Sequence, residues 1–173
     1  MRPEETVVRA TAQDDLDAVA EIFSHYVINT LITFEETPPT VAQWQQRLDD
    51  LTKQELPFLV AEAREEVVGY AYACPWRSKP AYCHTLENTV YLRPDWIGQR
   101  IGSALLGALL PWCAKANGRQ VIAVIADTGD SASTALHRAF GFTDVGRLTG
   151  VGYKHGRWID TLLMQRDLTT DLI

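Results

Sequence analysis

The sequence is poor in cysteine, and its acidic residues outnumber its basic residues. Cys74, Cys83 and Cys113 are odd in number and lack C-x-x-C spacing, so we expect reduced thiols in a cytoplasmic protein. The four histidines also lack the spacing of metal ligands, and no metal site is expected. The net charge is −6, from 16 Lys and Arg against 22 Asp and Glu. This balance argues against a nucleic-acid partner, because such proteins present a basic surface.

The sequence also has no long hydrophobic run. No apolar stretch approaches the roughly 20 residues that span a bilayer, so a membrane partner is not expected. Residues 1–5 lack the apolar core of a signal peptide. There is no internal repeat, low-complexity segment or linker. The 173 residues, 46% of them hydrophobic, are therefore predicted to form one domain, residues 1–173, large enough to bury its own core.

Hydrophobic periodicity predicts an α+β fold with a central sheet of about seven strands and flanking helices. The strands are predicted at residues 7–10, 58–63, 67–73, 85–92, 121–126, 142–150 and 158–168. The helices are predicted at residues 16–26, 41–51, 98–117 and 131–140. The second and third strands form a hairpin, and Pro75 is expected to end the third strand. An antiparallel meander thus precedes a β-α-β-α-β-β section.

The junction between the fourth strand and the third helix is predicted to bind an anion. Strand residues 85–92 lead into a loop with Gly98 and Gly102, and apolar residues then recur at helical spacing from Ile101. Free backbone N–H groups and the positive end of the helix dipole would point at one spot there. The run matches neither the Walker A loop nor the dinucleotide fingerprint. An ordinary strand-turn-helix junction is the alternative.

Six short runs occur in an order that is typical of one enzyme family. They lie at residues 34–38, 76–79, 87–91, 123–125, 137–142 and 152–160. In these runs the chain resembles the phosphinothricin N-acetyltransferases of the GNAT superfamily, from about residue 8 to about residue 168. The resemblance implies the GNAT fold, in which the strands that carry Val90 and Val121 splay apart at one end. The pantetheine arm of acetyl-CoA would enter that gap and pair with the exposed edge of the Val90 strand.

The resemblance also implies which residues bind acetyl-CoA. They are Val90, Leu92, Ile97, Gly98, Gln99, Arg100, Ile101, Gly102, Ser103 and Asp130. Ile97 and Arg100 depart from the pyrophosphate-loop pattern of the family, which has Gln or Arg at the first position and Gly at the second. Arg100 could itself pair with phosphate. Asp130 stands where many relatives have an asparagine that contacts the pantetheine, and it could instead cap the following helix.

Two residues are candidates for the chemistry of acetyl transfer. The resemblance implies that Glu87 is the general base, directly or through water, and partial burial would raise its pKa toward the working pH. The alternative is a solvated glutamate paired with a basic residue. His137 matches a family histidine and could act as acid or base near neutral pH. The alternative is a surface histidine near a helix C-terminus.

A second group of residues is predicted to bind the acceptor. Arg77 and Lys79 suit an anionic group such as a phosphinate or carboxylate, or form a solvated loop pair. Thr85 begins the strand that carries Glu87. Phe34 could form a wall of the acceptor pocket or belong to the core.

The predicted function is acetyl-CoA-dependent N-acetylation of a small amino-acid-like substrate. Phosphinothricin, methionine sulfoximine and methionine sulfone are the candidates that the resemblance implies, together with a homodimeric assembly. One alternative keeps the CoA chemistry but uses a polyamine, an aminoglycoside or a protein N-terminus as acceptor. Another is a non-catalytic CoA-binding module, which the intact Glu87 and His137 disfavour and the departures at Ile97, Arg100 and Asp130 leave open.

Overall fold

The computed structural model describes residues 6–172, and the interpretation of residues 1–5 lies outside this range. The strands are β1 (Val7–Ala10), β2 (Phe58–Ala63), β3 (Glu66–Pro75), β4 (Thr85–Leu92), β5 (Gln120–Ala126), β6 (Thr143–Lys154) and β7 (Arg157–Asp167). The α-helices are α1 (Leu16–Asn29), α2 (Val41–Lys53), α3 (Ile101–Lys115) and α4 (Ala132–Ala139). Within residues 6–172, no helix is both long and apolar enough to cross a membrane.

The seven strands form one mixed sheet in the order β1-β2-β3-β4-β5-β7-β6. Among the described strand pairs, only β4–β5 is parallel. The predicted α+β class and the number of strands are therefore confirmed.

Two predicted boundaries were wrong by several residues. The helix expected from Gly98 begins at Ile101, because Gly98 and Arg100 adopt left-handed conformations, with φ of 84° and 63°. Strand β6 was expected to end near Gly150 but continues to Lys154, since an irregularity between Leu148 and Gly152 lets its pairing with β7 resume.

Strands β4 and β5 separate after three residue pairs. Their register runs from Thr85↔Gln120 to Glu87↔Ile122 and ends there. Beyond that point β4 continues to pair with β3 as far as Gly69↔Leu92. Strand β5 continues to pair with β7 as far as Ala126↔Thr161. Each strand thus follows its outer neighbour, and the splayed strand pair is confirmed.

The two faces of the sheet carry different cores. Helix α3 packs on one face through aliphatic residues that are almost fully buried, among them Leu105, Leu106 and Leu109. Helices α1 and α2 pack on the other face around an aromatic cluster in which Trp44 contacts Phe23, Phe58, Tyr70 and Tyr72. Successive residues of a strand point to opposite faces, so neighbouring positions of β4 face different cores.

The start of α2 is specified by local sequence. The Thr40 hydroxyl accepts a hydrogen bond from the Gln43 N–H at 3.2 Å, and the Gln43 side chain accepts one from the Thr40 N–H at 2.8 Å. This reciprocal capping satisfies amide donors that the first turn of a helix leaves unpaired. It fixes where the chain leaves the loop at residues 30–39 and enters α2.

Close packing between β3 and β4 depends on Gly69. A Cβ added there would lie 2.6 Å from Leu92 Cδ2, 3.0 Å from the Tyr91 carbonyl oxygen and 3.2 Å from Leu105 Cδ1. We expect Gly69→Ala to lower the free energy of unfolding by about 1–3 kcal/mol, the usual cost of overpacking. Urea unfolding measures this change.

Gly146→Ala is the matched control, because a Cβ at Gly146 meets only Leu163 Cδ1, at 3.9 Å. We expect its effect to stay within about 0.5 kcal/mol. Equal destabilisation by both substitutions would contradict the packing role of Gly69.

Candidate active site

A cleft lies where β4 and β5 diverge, and it is lined from both faces of the sheet. Strand β4 lines it with Glu87, Asn88, Thr89 and Val90. From the side of α4 it is lined by Asp130, Ser133 and His137, and from the side of α1 and α2 by Phe34, Arg47 and Tyr72. The structure therefore brings together five predicted site residues, Phe34, Glu87, Val90, Asp130 and His137.

Glu87 is half-buried at the last residue pair of β4 and β5. Burial raises the pKa of this carboxyl because the charged form loses hydration, and the nearby Arg77 charge acts in the opposite direction. A carboxylate in this setting holds a proton more readily than a solvated one. It can therefore accept a proton from an acceptor amine in the cleft.

His137 is buried, with 4% of its surface exposed, so it is not the surface histidine considered as the alternative. Its Nδ1 lies 2.7 Å from the Ser133 carbonyl oxygen. A carbonyl only accepts, which assigns the ring proton to Nδ1. Nε2 then accepts a hydrogen bond from Asn88 Nδ2 at 2.9 Å. Burial lowers the pKa of His137, against the opposing effect of the Ser133 contact, and this favours the neutral ring.

Asn88 is a member of the site that sequence reasoning missed. It is buried on the face opposite to Glu87, and its Oδ1 has no hydrogen-bond partner among the described residues. The sequence signal that could have identified Asn88 is its position in the middle of a predicted strand, where asparagine is uncommon. Asn88 and His137 form one hydrogen-bonded unit in the cleft wall.

The start of α3 has the features of a diphosphate site. Arg100 is the N-cap and is left-handed, which is the conformation that glycine adopts at the lowest cost. This explains why the family pattern has glycine at that position. The first-turn N–H groups of Ile101, Gly102 and Ser103 have no acceptor within the helix. Gly102 is buried, and a Cβ there would lie 3.3 Å from Leu136 Cδ2, so it also permits close packing against α4.

Strand β4 connects the cleft to the loop that precedes α3. Leu92 is partly buried near the end of β4, and the predicted loop residues Ile97, Gly98, Gln99, Arg100 and Ser103 are exposed beyond it. An unpaired strand edge that leads to helix amides fits an acyl-pantetheine arm followed by a diphosphate. Asp130 lines the cleft and accepts a hydrogen bond from the Ala132 N–H at 2.9 Å, but the N-cap of α4 is Ser131, one residue later than the alternative capping role required.

Residues 152–158, within one of the six runs that carry the family resemblance, support the loop that carries Phe34. A Cβ at Gly152 would lie 2.4 Å from the Phe34 ring, so only glycine allows the ring to pack there. The Lys154 ammonium, on a side chain that is 97% buried, donates to the Thr33 carbonyl oxygen at 2.8 Å. Phe34 itself is 41% exposed and lines the cleft, so it is not a core aromatic.

Three predicted acceptor-binding residues do not line the cleft. The chain leaves the sheet after Pro75 and forms an exposed turn that carries Arg77 and Lys79. The Arg77 guanidinium carbon lies 4.6 Å from the centre of the Trp76 ring. Its positive charge still acts to lower the pKa of Glu87. Thr85 pairs with Gln120 at the closed end of the β4–β5 pair. Sequence reasoning instead missed Arg47, which reaches the cleft from α2.

Comparisons with known proteins agree with this architecture. Residues 8–163 match the family model described as acetyltransferase (GNAT) domain. The chain is 45% identical over 161 residues to a phosphinothricin N-acetyltransferase of Alcaligenes faecalis, covering 93% of this chain and 82% of the relative. It is 38% identical over 162 residues to an L-methionine sulfoximine/L-methionine sulfone acetyltransferase of Pseudomonas aeruginosa, covering 93% and 94%.

A solved structure shows the same fold with a cosubstrate. The GNAT superfamily phosphinothricin acetyltransferase of Sinorhizobium meliloti, in complex with AcCoA, superposes with a TM-score of 0.89 at 41% identity. The match covers 94% of this chain and 88% of that chain. The splayed strands, the helix N-terminus beside them and these similarities lead to one conclusion: the chain is an acetyl-CoA-dependent N-acetyltransferase and belongs to the GNAT superfamily, among the phosphinothricin and methionine sulfoximine N-acetyltransferases.

Proposed function

We propose that this enzyme acetylates the α-amine of a small amino-acid-like acid. Phosphinothricin, methionine sulfoximine and methionine sulfone are the candidate acceptors. The observation that carries the proposal is the half-buried Glu87, which lies in the cleft at the point where β4 and β5 diverge. The relatives of 45% and 38% identity, whose names give such acceptors, support it.

The proposed mechanism uses Glu87 as the base. Acetyl-CoA supplies a thioester whose carbonyl carbon is electrophilic. Glu87 takes a proton from the substrate ammonium, which frees the nitrogen lone pair. A C–N bond forms, the C–S bond breaks, and a second proton from the nitrogen reaches the departing sulfur. The products are the N-acetylated acceptor, CoA as its thiol and protonated Glu87, so atoms and charges balance and no separate general acid is required.

For His137 we propose a positioning role within the Asn88–His137 unit. Both ring nitrogens already take part in hydrogen bonds, to Ser133 and to Asn88. Proton donation to the departing sulfur would require Nε2 to carry the proton and the Asn88 contact to change. These contacts support a role in holding the cleft wall, and the predicted acid or base role stays a prediction.

Acceptor choice is tested by CoA release with a panel of amines. We expect phosphinothricin, methionine sulfoximine and methionine sulfone to exceed a polyamine, an aminoglycoside and an N-terminal peptide in kcat/KM by at least about tenfold. Preference for one of the latter would identify a different acceptor class. Acetyl-CoA binding without CoA release on any amine would favour the non-catalytic module.

Glu87→Gln tests the general base. The substitution keeps the shape of the side chain but removes its basicity, so we expect kcat to fall by about 10²–10⁴-fold. Because only the ionised carboxylate accepts a proton, wild-type activity should decline as the pH falls through the raised pKa of Glu87. The variant should lose this acid limb and recover activity at alkaline pH, where the acceptor amine is already free.

Glu21→Gln is the control for this experiment, since Glu21 is exposed on α1 outside the cleft. It should leave the pH profile unchanged. A Glu87→Gln variant with near-normal kcat and an unchanged acid limb would show that another group removes the proton.

Ser103→Asp tests the diphosphate site on α3. An acidic residue in the first turn stabilises a helix by about 0.3–1 kcal/mol, yet it repels a bound diphosphate. We therefore expect thermal stability to hold or rise while acetyl-CoA affinity falls by about tenfold, less at high salt. Calorimetry measures the affinity, and Ser103→Asn is the neutral control. Equal affinities of the two variants would contradict the site.

We also propose a homodimer that forms through the edge strand β6. Its exposed residues include Val145, Leu148, Val151 and Tyr153, and Trp158 of β7 is 72% exposed beside Tyr153. A long, exposed apolar edge favours association with another strand. Sedimentation equilibrium measures the mass, and a monomer at micromolar concentration would refute the proposal.

A cytoplasmic location is proposed as well. Cys74, Cys83 and Cys113 are unpaired, and free thiols persist in reducing compartments. Burial raises the pKa of Cys74 to about 11 and that of Cys113 to about 12, which keeps both thiols protonated. Recovery of the protein in the periplasmic or secreted fraction of cells would contradict this location.

A further inference from the structure

Arg47 projects from α2 into the cleft and is held in place there by aromatic side chains. Its guanidinium carbon lies 5.0 Å from the centre of the Trp44 ring and 5.3 Å from that of the Tyr72 ring. Nη1 donates a hydrogen bond to the Tyr72 hydroxyl. Such stacking fixes the plane of a guanidinium while leaving most of its five N–H donors unused.

Arg47 is also the only Lys or Arg among the described residues that line the cleft. The other charged side chains of the lining are the acidic Glu35, Glu87 and Asp130. Among the described side chains, those of residues 6–170, no carboxylate lies within ion-pair distance of Arg47. A fixed guanidinium without an anionic partner is suited to an anion that arrives with the substrate.

The register of β3 and β4 indicates how close Arg47 lies to the proposed base, Glu87. Tyr72, which contacts Arg47, lies opposite Thr89, and Cys74 lies opposite Glu87. Tyr72 and Cys74 are two residues apart on one face of β3, a separation of roughly 7 Å. Directly opposed residues of two strands point to the same face, and Tyr72 and Cys74 belong to the cluster under α1 and α2, so Glu87 lies on the face that carries Arg47. The ammonium and carboxylate of an amino acid are closer together than this, and one hydrogen bond of about 3 Å at each end can bridge a separation of this order.

We propose that Arg47 binds the carboxylate of the acceptor and so directs its α-amine toward Glu87. This inference rests on the proposed amino-acid-like acceptor. It makes Arg47 a residue that determines specificity for acids over plain amines. Arg77 and Lys79 are the competing candidates, but they lie on an exposed turn outside the cleft lining.

The test is calorimetric binding of two ligands to enzyme that is saturated with CoA. L-methionine sulfone carries a single anionic group, and its primary amide lacks that charge at nearly the same size. The variants are Arg47→Gln, Arg77→Gln and the control Lys53→Gln, which removes one positive charge from an exposed site on the same helix. We expect wild type and Lys53→Gln to prefer the acid by about 10–100-fold, as a charged hydrogen bond allows.

Arg47→Gln should abolish this preference by weakening the acid alone, while amide binding stays unchanged. Arg47→Lys should restore part of it, because lysine keeps the charge without the planar fork. Equal weakening of acid and amide would show that Arg47 only supports the fold of the cleft. A preference retained in Arg47→Gln but lost in Arg77→Gln would assign the carboxylate to Arg77. Each of these two results overturns the inference and leaves the acceptor class intact.

Failure of the proposed function is distinguished by combining this calorimetry with the CoA-release panel. Wild-type enzyme that binds neither ligand, yet releases CoA with another amine of the panel, would overturn the acceptor class and this inference together.

Discussion

The separation of β4 and β5 after Glu87↔Ile122 is the constraint on which the rest of the molecule depends. Both strands keep their outer partners beyond that pair, so the cost of the lost pairing is confined to one edge of each strand. The result is an unpaired strand edge inside the sheet, where an acyl-pantetheine arm can take the place of a missing strand. The cleft, the proposed base and the Asn88–His137 unit all lie at this opening.

The alternation of side chains along β4 divides the chemistry between the two faces of the sheet. Asn88 points toward α4, where it meets His137, and Glu87 points toward the face covered by α1 and α2. The proposed proton transfer thus occurs on the face that also carries Arg47 and Phe34. Helix α3, which carries the proposed diphosphate site, lies on the opposite face. Two adjacent residues of β4 therefore line the cleft from different faces of the sheet.

The run at residues 152–158 shows why a sequence signature need not mark catalytic groups. Gly152 lies against the Phe34 ring, and Lys154 holds the Thr33 carbonyl from a buried position. A lysine that is taken out of water loses hydration, and the pKa of Lys154 is lowered accordingly, against the opposing charges of Glu36 and Glu35. The signature therefore encodes the support of the loop that carries Thr33 and Phe34, which lies more than a hundred residues earlier in the chain.

The sequence by itself determined the α+β class, the seven strands and the helix that follows the glycine-bearing loop, while Glu87 and His137 were proposed from the family resemblance. These depend on local periodicity and short motifs, which a chain carries without tertiary contacts. Only the tertiary structure decided that Asn88 joins His137, that Arg47 enters the cleft and that Lys79 and Thr85 do not. Such placements depend on which elements meet across the sheet, and neither periodicity nor spacing along the chain contains that information.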